Sequence, residues 1–385
     1  MSNHLDIFPL QFNKTGEELG GDTIRIQRAA DKTLVVLSDG LGSGVKANIL
    51  STMTAGILLT MLMADAPLDE TVRTVIGTLP VCQVRHLAYA TFTVVRIQNA
   101  TGEFDVANFD NPRIVWIKGR KLQLPLRASN NVHGRDVFTF RGTLEPGDFL
   151  GIFSDGMVHA GMGKTMNLGW GWESVARYIE ESAQHYCPDA RSLVQRVMQN
   201  ATRLYGEHFG DDTSMIGVLT REHRRLSVFT GPPLNRDEDE NISRKFLNMP
   251  GRHVVCGGTT GNIIGRHLDE TPEVVLSSMR PEIPPYGRLR EVNLVTEGIL
   301  TMNKALELVE SVGSVQSLPD DENAAVLLAR ELLQADSIHF IVGQRINDFY
   351  QNPDLPKNLS LRRGLVNELV AHLRAIGKEV ELENC

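Results

Sequence analysis

A long succession of strand patterns constrains the fold of this chain most. Between Tyr89 and Ser154, six short apolar or alternating runs follow one another: YATFTVVRI, GEFDVAN, RIVWIKG, KLQLPL, DVFTFRG and DFLGIFS. Turn pairs such as Pro146-Gly147 separate them. The remaining patterns on either side are two strands at 23–29 and 33–38, helices from about Val45 and at 68–79, 171–185 and 189–206, and a last strand at 215–220. This order predicts a layered α+β domain with antiparallel sheets.

The second part of the chain alternates strands with helices instead. RHVVC (252–256), REVNLVT (290–296) and SIHFIVG (337–343) each precede a helical pattern, and a last strand follows Gly377. Such alternation predicts a smaller α/β domain with a mostly parallel sheet. The polar, Pro-rich stretch at 231–241 resembles a boundary region. We place the division just before this stretch and its preceding short strand, so that the two domains are residues 1–221 and 222–385. The second is an α/β domain whose role the sequence does not give.

One apolar segment, ILSTMTAGILLTMLM at residues 49–63, could be mistaken for a membrane span. It is shorter than the roughly 20 residues that a span needs, and Lys46 and Asp65 bracket it. We therefore expect a fully buried core helix. The N-terminus also lacks the basic start and apolar core of a signal peptide. The sequence thus predicts a cytoplasmic protein that does not contact the membrane.

Charge and cysteine content exclude further classes. The 385-residue chain has 39 basic and 47 acidic side chains, a formal net charge of −8. A dedicated nucleic-acid binder usually shows a basic domain or stripe, so we expect no nucleic-acid partner. The four cysteines are scattered and none forms a CxxC pair. Neither a zinc knuckle nor a dithiol redox motif is therefore present.

Acidic residues recur where predicted strands meet turns. They are Asp22, Asp39, Asp155 and the pair Asp211-Asp212, and two of the sites are near-copies, TLVVLSDG and FLGIFSDG. A carboxylate at the end of a buried strand must be paired or must bind a metal ion. Hard oxygen ligands suit Mg²⁺ or Mn²⁺ rather than Zn²⁺. An Asp-Gly pair can simply close a turn, but four such sites together favour a shared metal site, to which the carbonyl of Gly40 could add a ligand.

The runs GGDT, TLVVLSDGLGSG, LEPGDFLGIFSDGMV and DDTS follow one another over roughly residues 1–220. In order and number they resemble the motifs of the metal-dependent type 2C (PPM) protein phosphatases, and most of all their bacterial branch typified by the sporulation stage II protein E phosphatase. The resemblance implies an antiparallel β-sandwich flanked by helices, with two Mn²⁺ or Mg²⁺ ions at one end. It further implies hydrolysis of phosphoserine or phosphothreonine on a regulatory protein, by a water molecule that both ions activate.

Carried over motif by motif, the resemblance implies a role for each acidic residue. Asp22, Asp39, Asp155 and Asp211 look like the catalytic metal carboxylates, Gly40 like the carbonyl ligand and Asp212 like a supporting member of the metal site. The chain departs from the pattern at Leu41, at Ser214 and over residues 107–112. Some relatives use an arginine to grip the phosphate and a histidine as general acid, and no residue here matches either role. Arg25 lies on an alternating strand, and His86 and His133 are isolated histidines.

The resemblance also implies a class of partner. Relatives act on regulatory phosphoproteins, so the substrate would be a phosphoprotein such as an antagonist of an anti-sigma factor. The protein could also form a homodimer.

Two glycine-rich turns need separate interpretation. We read residues 39–44 as a metal-binding turn followed by the helix cap Ser43, with Lys46 solvated. In the second domain, Gly257, Gly258, Thr259 and Thr260 could hold a phosphate or a nucleotide. A tight turn capped by threonine explains the same residues and is slightly favoured. Cys256 is expected to be a small buried residue and not a nucleophile, because no basic partner is evident.

Two other functions compete with that of a phosphatase. The first domain could be a non-catalytic signalling module that only binds partners, although its complete set of acidic motifs argues against this. Alternatively, the second domain could be the main functional unit and sense a nucleotide or small anion.

Overall fold

The fold is that of a computed structural model, which describes residues 3–42, 44–78, 90–185, 189–206, 208–312, 315–345 and 357–385. The chain forms two units, Met1–Glu222 and His223–Cys385. Each unit has its own sheets and its own hydrophobic core.

The described strands of the first unit form two antiparallel sheets. One sheet has the order β1-β11-β10-β6-β7 and the other the order β2-β3-β4-β5-β9-β8. The strands are β1 (Asn3–Phe12), β2 (Asp22–Arg28), β3 (Lys32–Gly40), β4 (Ala90–Gln98), β5 (Glu103–Phe109), β6 (Val115–Lys118), β7 (Lys121–Gln123), β8 (Ala128–Val132), β9 (Arg135–Thr143), β10 (Phe149–Phe153) and β11 (Thr213–Glu222). Buried side chains such as Val35, Val95, Ile152 and Ile216 fill the space between the sheets.

Helices cover the outer faces of this sandwich. They are α1 (Gly44–Met63), α2 (Leu68–Thr78), α3 (Asp155–His159), α4 (Trp172–His185) and α5 (Ala190–Tyr205). Leu58 of α1 and Val72 of α2 pack on Val36 and Phe92 of one sheet. On the other sheet, α4 and α5 form a similar layer. The predicted α+β class, an antiparallel β-sandwich flanked by helices, is confirmed.

Helix α1 differs from the expectation of a fully buried helix. Its buried residues, among them Ala55, Leu58 and Leu62, pack against the sheet. Val45, Ile49 and Met53, however, are 61%, 51% and 59% exposed. Its length and composition alone would also allow α1 to cross a membrane. The expectation was wrong because an all-round apolar sequence does not reveal which of its faces the sheet covers.

The second unit has a seven-stranded sheet among its described residues. The strand order is β14-β15-β16-β13-β12-β17-β18. Strands β16, β13, β12, β17 and β18 run parallel, and at one end of the sheet β15 pairs antiparallel with both β16 and β14. The strands are β12 (Arg225–Thr230), β13 (Arg252–Cys256), β14 (Glu273–Val274), β15 (Gly287–Leu289), β16 (Val292–Thr296), β17 (Ser337–Val342) and β18 (Glu379–Asn384). The smaller α/β domain with a mostly parallel sheet is therefore confirmed.

Helices cover both faces of the parallel sheet. They are α6 (Asp239–Leu247), α7 (Gly258–His267), α8 (Ile299–Ser311), α9 (Ala324–Gln334) and α10 (Lys357–Ala375). Core residues of α8, α9 and α10 share one face, and those of α6 and α7 share the other. The Pro-rich stretch at 231–241 lies inside this unit, between β12 and α6, and is therefore not a boundary. It connects a central strand to the first helix, a place where polar loop composition is equally expected.

Candidate functional site

The acidic residues singled out by the sequence lie at the ends of strands from both sheets of the first unit. Asp22 and Asp39 are directly opposite each other in the β2–β3 ladder. Asp155 opens α3 immediately after β10, and Asp211 precedes β11. Because β10 and β11 are neighbours in the other sheet, the two sheets bring these carboxylates together at one end of the sandwich.

Burial makes this cluster unfavourable without a cation. Asp22 is 3% exposed, and neither of its carboxylate oxygens has a hydrogen-bond partner within the described part of the chain. Burial raises the pKa of Asp22 to about 7, an effect that the nearby hydroxyls of Ser214 and Ser154 reduce and the charges of Asp212 and Asp155 reinforce. Orphaned buried carboxylate oxygens are what a hard divalent cation requires, so these residues fit Mg²⁺ or Mn²⁺.

The electrostatic coupling extends over the whole cluster. Burial, followed by the charges of Asp22, Asp155, Asp211 and Asp212, raises the pKa of Asp39 to about 10. Burial also raises the pKa of Asp211, with the Asp155 charge adding to it. Carboxylates whose charges raise the pKa values of Asp39 and Asp211 in this way lie in one site with them.

Asp212 differs from the other acidic residues because both of its oxygens accept backbone hydrogen bonds. Oδ2 accepts from the amide of Gly21 at 2.6 Å, and Oδ1 accepts from the amide of Lys14 at 2.9 Å. Asp212 therefore ties the loop that precedes β2 to the start of β11. It fixes the position of the neighbouring Asp22 rather than offering free oxygens of its own.

The glycines of the two Ser-Asp-Gly copies allow close backbone packing. A Cβ atom on Gly40 would overlap the carbonyl group of Ala47 in α1, and one on Gly156 would overlap that of Asp212. The Gly156 carbonyl also accepts a hydrogen bond from the Tyr205 hydroxyl at 2.7 Å. Gly40 thus lets the backbone after Asp39 approach the first turn of α1. Gly156 lets the backbone after Asp155 approach Asp212.

His159 belongs to the cluster, and sequence reasoning missed it. Its Nδ1 atom lies 3.9 Å from Oδ2 of Asp155, four residues earlier on α3. Ligand atoms of Asp155, His159 and Asp211 all lie within 4.8 Å of one another. The i,i+4 spacing of Asp155 and His159 was a usable signal, but only if residues 155–159 had been recognised as helical.

Other residues weighed in the sequence lie elsewhere. Arg25 is exposed and donates to the carbonyl of Ile24 at 3.1 Å. Lys46 is exposed on α1, and His133 occupies the turn between β8 and β9. Ser43 and His86 lie outside the described residues.

The glycine-rich turn of the second unit follows β13 and starts α7, as its sequence suggested. Gly257 has φ of 125° and precedes the first helical residue, Gly258. Cys256 is buried, and burial raises the pKa of its thiol to about 12. A thiol with so high a pKa is a poor nucleophile.

Comparisons with known proteins identify the family of the first unit. The family model described as stage II sporulation protein E matches residues 29–221, half of the 385-residue chain. A search of curated proteins returned no match.

Solved structures similar to this chain include phosphatase domains. One is the PP2C phosphatase domain with a fragment of the regulatory domain of the cell fate determinant SpoIIE from Bacillus subtilis (19% identity, TM-score 0.49), where the match covers 57% of this chain and 64% of that one, less than two thirds of its length. Another comprises the RsbU and RsbW domains of Rv1364c from Mycobacterium tuberculosis (18% identity, TM-score 0.47, 64% of this chain and 68% of that one). A third is the catalytic domain of the serine threonine protein phosphatase PstP in complex with two manganese ions (15% identity, TM-score 0.39, 57% and 100%). By the family match over residues 29–221, the chain belongs to the stage II sporulation protein E family of PPM phosphatases.

Proposed function

We propose that the first unit hydrolyses phosphoserine or phosphothreonine on a regulatory protein and needs two Mn²⁺ or Mg²⁺ ions to do so. The observation that carries this proposal is Asp22: its carboxylate is buried, faces other carboxylates and accepts no hydrogen bond among the described residues, although the hydroxyls of Ser154 and Ser214 lie nearby. A structural aspartate at a turn would have a hydrogen-bond donor. Membership of a phosphatase family supports the same reading.

We assign the metal-holding role to Asp22, Asp39, Asp155 and Asp211 together with the Gly40 carbonyl. When bound, such ions lower the pKa of a water molecule and offset the charge of the phosphate. Asp212 is a positioning residue, because its hydrogen bonds to Gly21 and Lys14 fix the loop beside Asp22. Divalent charge at these carboxylates would offset the burial and the repulsion that raise the pKa values of Asp22, Asp39 and Asp211.

The substrate class follows from the family and not from the site. We propose a cytoplasmic phosphoprotein, such as an antagonist of an anti-sigma factor, as the natural substrate. A homodimer is compatible with this role.

The test is turnover of p-nitrophenyl phosphate and of phosphoserine, phosphothreonine and phosphotyrosine peptides by the full chain. We expect activity on the first three with added Mn²⁺ or Mg²⁺, and none in EDTA. Asp39→Asn serves as the inactive control. Full activity in EDTA would contradict a metal mechanism, and a folded chain without activity on any substrate would instead favour a binding module.

A further inference from the structure

The turn between β13 and α7 lies at the carboxyl edge of the parallel sheet, the edge at which sheets of this kind bind ligands. The amide of Gly257 donates to the carbonyl of Thr296 in neighbouring strand β16 at 2.8 Å, so the turn is fixed to the sheet. The first amides of a helix have no partner within the helix. Gly257 also brings no side chain to cap α7. At the neighbouring α8, by contrast, Glu297 Oε2 accepts from the amide of Leu300 at 3.1 Å.

Three glycines give this turn the shape of a phosphate-binding turn. Gly257 makes the sharp bend, with φ of 125°. A Cβ atom on Gly258 would meet no atom of the described residues within 4 Å, which leaves room for a ligand at this position. A Cβ atom on Gly261 would lie 3.1 Å from Cγ1 of Val295, which shows that α7 packs closely on β16. In nucleotide-binding βα turns, glycines have the same three roles. They allow the tight turn, they let the phosphate approach the backbone, and they let the helix pack closely on the strand.

Thr260 provides an independent sign of a ligand. Its side chain is 1% exposed, and its Oγ1 atom has no hydrogen-bond partner in the described parts of the chain. The same atom lies 3.3 Å from the place that a Cβ on Gly257 would take, so the hydroxyl points at the turn. Four other buried hydroxyls in the described residues also lack a partner, but that of Thr260 is the one that faces the glycine turn. An oxygen bound in front of α7 would supply the missing partner.

Positive charge is present at the same edge. The guanidinium group of Arg362 in α10 lies against Gly231, directly after β12, the strand beside β13. It has no hydrogen-bond or ion-pair partner among the residues described. Burial lowers the pKa of Arg362, and the charge of Glu297 opposes this effect, but an arginine stays protonated at neutral pH.

The crevice next to this turn is closed to a ligand. In open parallel sheets, ligands usually bind at the carboxyl ends of the two neighbouring strands at which the strand order reverses. Here these strands are β12 and β17. A Cβ atom on Gly343, which follows β17, would overlap the carbonyl groups of Gly231 and Pro232. The two loops therefore touch, whereas the start of α7 meets no such contact among the described residues.

We propose that the turn formed by residues 257–260 binds a phosphate group, either free or carried by a nucleotide, through the amides of Gly258 and Thr260 and the Thr260 hydroxyl. Arg362 lies at the same edge of the sheet, where its positive charge offsets that of Glu297, whose carboxylate also acts on the neighbouring Cys256. The site belongs to the second unit and needs no metal ion. A negative result for phosphate binding here would therefore not contradict the proposed phosphatase activity.

The test is calorimetric titration of the full chain in EDTA with inorganic phosphate, AMP, ADP and, as a control without phosphate, adenosine. We expect phosphate-containing probes to bind and adenosine not to bind. Thr260→Val keeps the shape and removes the hydroxyl, and Gly258→Val fills the open space. Each should weaken binding by about tenfold or more. Gly364→Val is the matched control, because a Cβ atom on this α10 glycine also meets nothing within 4 Å.

The melting temperature separates a binding role from a structural one. Removing an unpaired buried hydroxyl should leave the melting temperature of Thr260→Val equal to or above that of the wild type, while binding falls. Tighter binding of AMP or ADP than of phosphate assigns a nucleotide, and equal binding assigns free phosphate. No binding of any probe at millimolar concentration, or equal binding by Thr260→Val and the wild type, would overturn the proposal. If Gly258→Val does not fold, Gly258→Ala replaces it.

Discussion

At the scale of single residues, Asp39 opposes folding in the metal-free protein. Its pKa is raised to about 10 in the folded chain, whereas an unfolded aspartate titrates near 3.9. The folded state therefore holds a proton that the unfolded state releases, and the free energy of unfolding falls as pH rises between these two values. Asp39→Asn removes the part of this dependence that Asp39 causes, whereas Asp22 and Asp211, whose pKa values are also raised, still contribute.

We therefore expect Asp39→Asn to unfold at a higher temperature than the wild type in EDTA, with a difference that grows from pH 5 to pH 8. Turnover with Mn²⁺ should fall about a hundredfold or more, and the same loss is expected for Asp155→Asn. Thermal melts over pH and p-nitrophenyl phosphate assays measure both effects. Near-normal turnover in either variant would refute the assignment of the site.

His159 provides a second prediction at this scale. Its imidazole lies close to the carboxylates of Asp155 and Asp211, and imidazole suits transition metals such as Mn²⁺ better than Mg²⁺. We expect His159→Gln to raise the Mn²⁺ concentration needed for half-maximal activity several-fold more than the Mg²⁺ concentration. Titration of activity with each ion tests this. An equal shift for both ions would mean that His159 is not a ligand, and His133→Gln, in the β8–β9 turn, is the control.

At the scale of elements, the turn from β3 into α1 depends on Gly40. A Cβ atom at this position would overlap the carbonyl group of Ala47, so α1 would have to shift. We expect Gly40→Ala to lower the free energy of unfolding by about 1–3 kcal/mol and also to reduce turnover, because Asp39 precedes it. The matched control is Gly56→Ala within α1, where a Cβ atom meets nothing within 4 Å. That change should stabilise the protein by about 0.5–1 kcal/mol. Urea unfolding measures both, and equal effects would contradict the packing at Gly40.

The same elements show what the sequence can and cannot predict. β3 is buried along nearly its whole length, and its continuous apolar run predicted this directly. Local periodicity did not identify β1 or α3: β1 combines apolar and polar residues without clear alternation, and α3 has five residues, too few for a helical period. For α1, burial depends on which face the sheet covers, which is a tertiary property. His159 was missed for the same reason, because its nearness to Asp155 exists only once α3 is formed.

At the scale of the whole molecule, the acidic cluster links metal binding to stability. Its members come from segments far apart in the sequence, among them Asp22, Asp39, Asp155 and Asp211, so an unfolded chain cannot bring them together. An ion that binds only the folded state stabilises it by mass action, by about 2.7 kcal/mol at a hundred times its dissociation constant. The spacing of motifs in the sequence could predict the members of this cluster, but not the orphaned oxygens of Asp22, which depend on the packing of both sheets.

We therefore expect Mn²⁺ to raise the melting temperature of the full chain in a concentration-dependent way. Hydrogen exchange should slow around residues 20–22, 39–42, 155–159 and 211–213, and should not change around residues 257–260. Asp39→Asn should lose most of the stabilisation, because one carboxylate ligand and its charge are gone, whereas Thr260→Val should keep it. These two variants separate the sites of the two units in a single measurement. If Mn²⁺ stabilises Asp39→Asn as much as the wild type, the ions bind elsewhere, and the buried carboxylates of the first unit need another explanation.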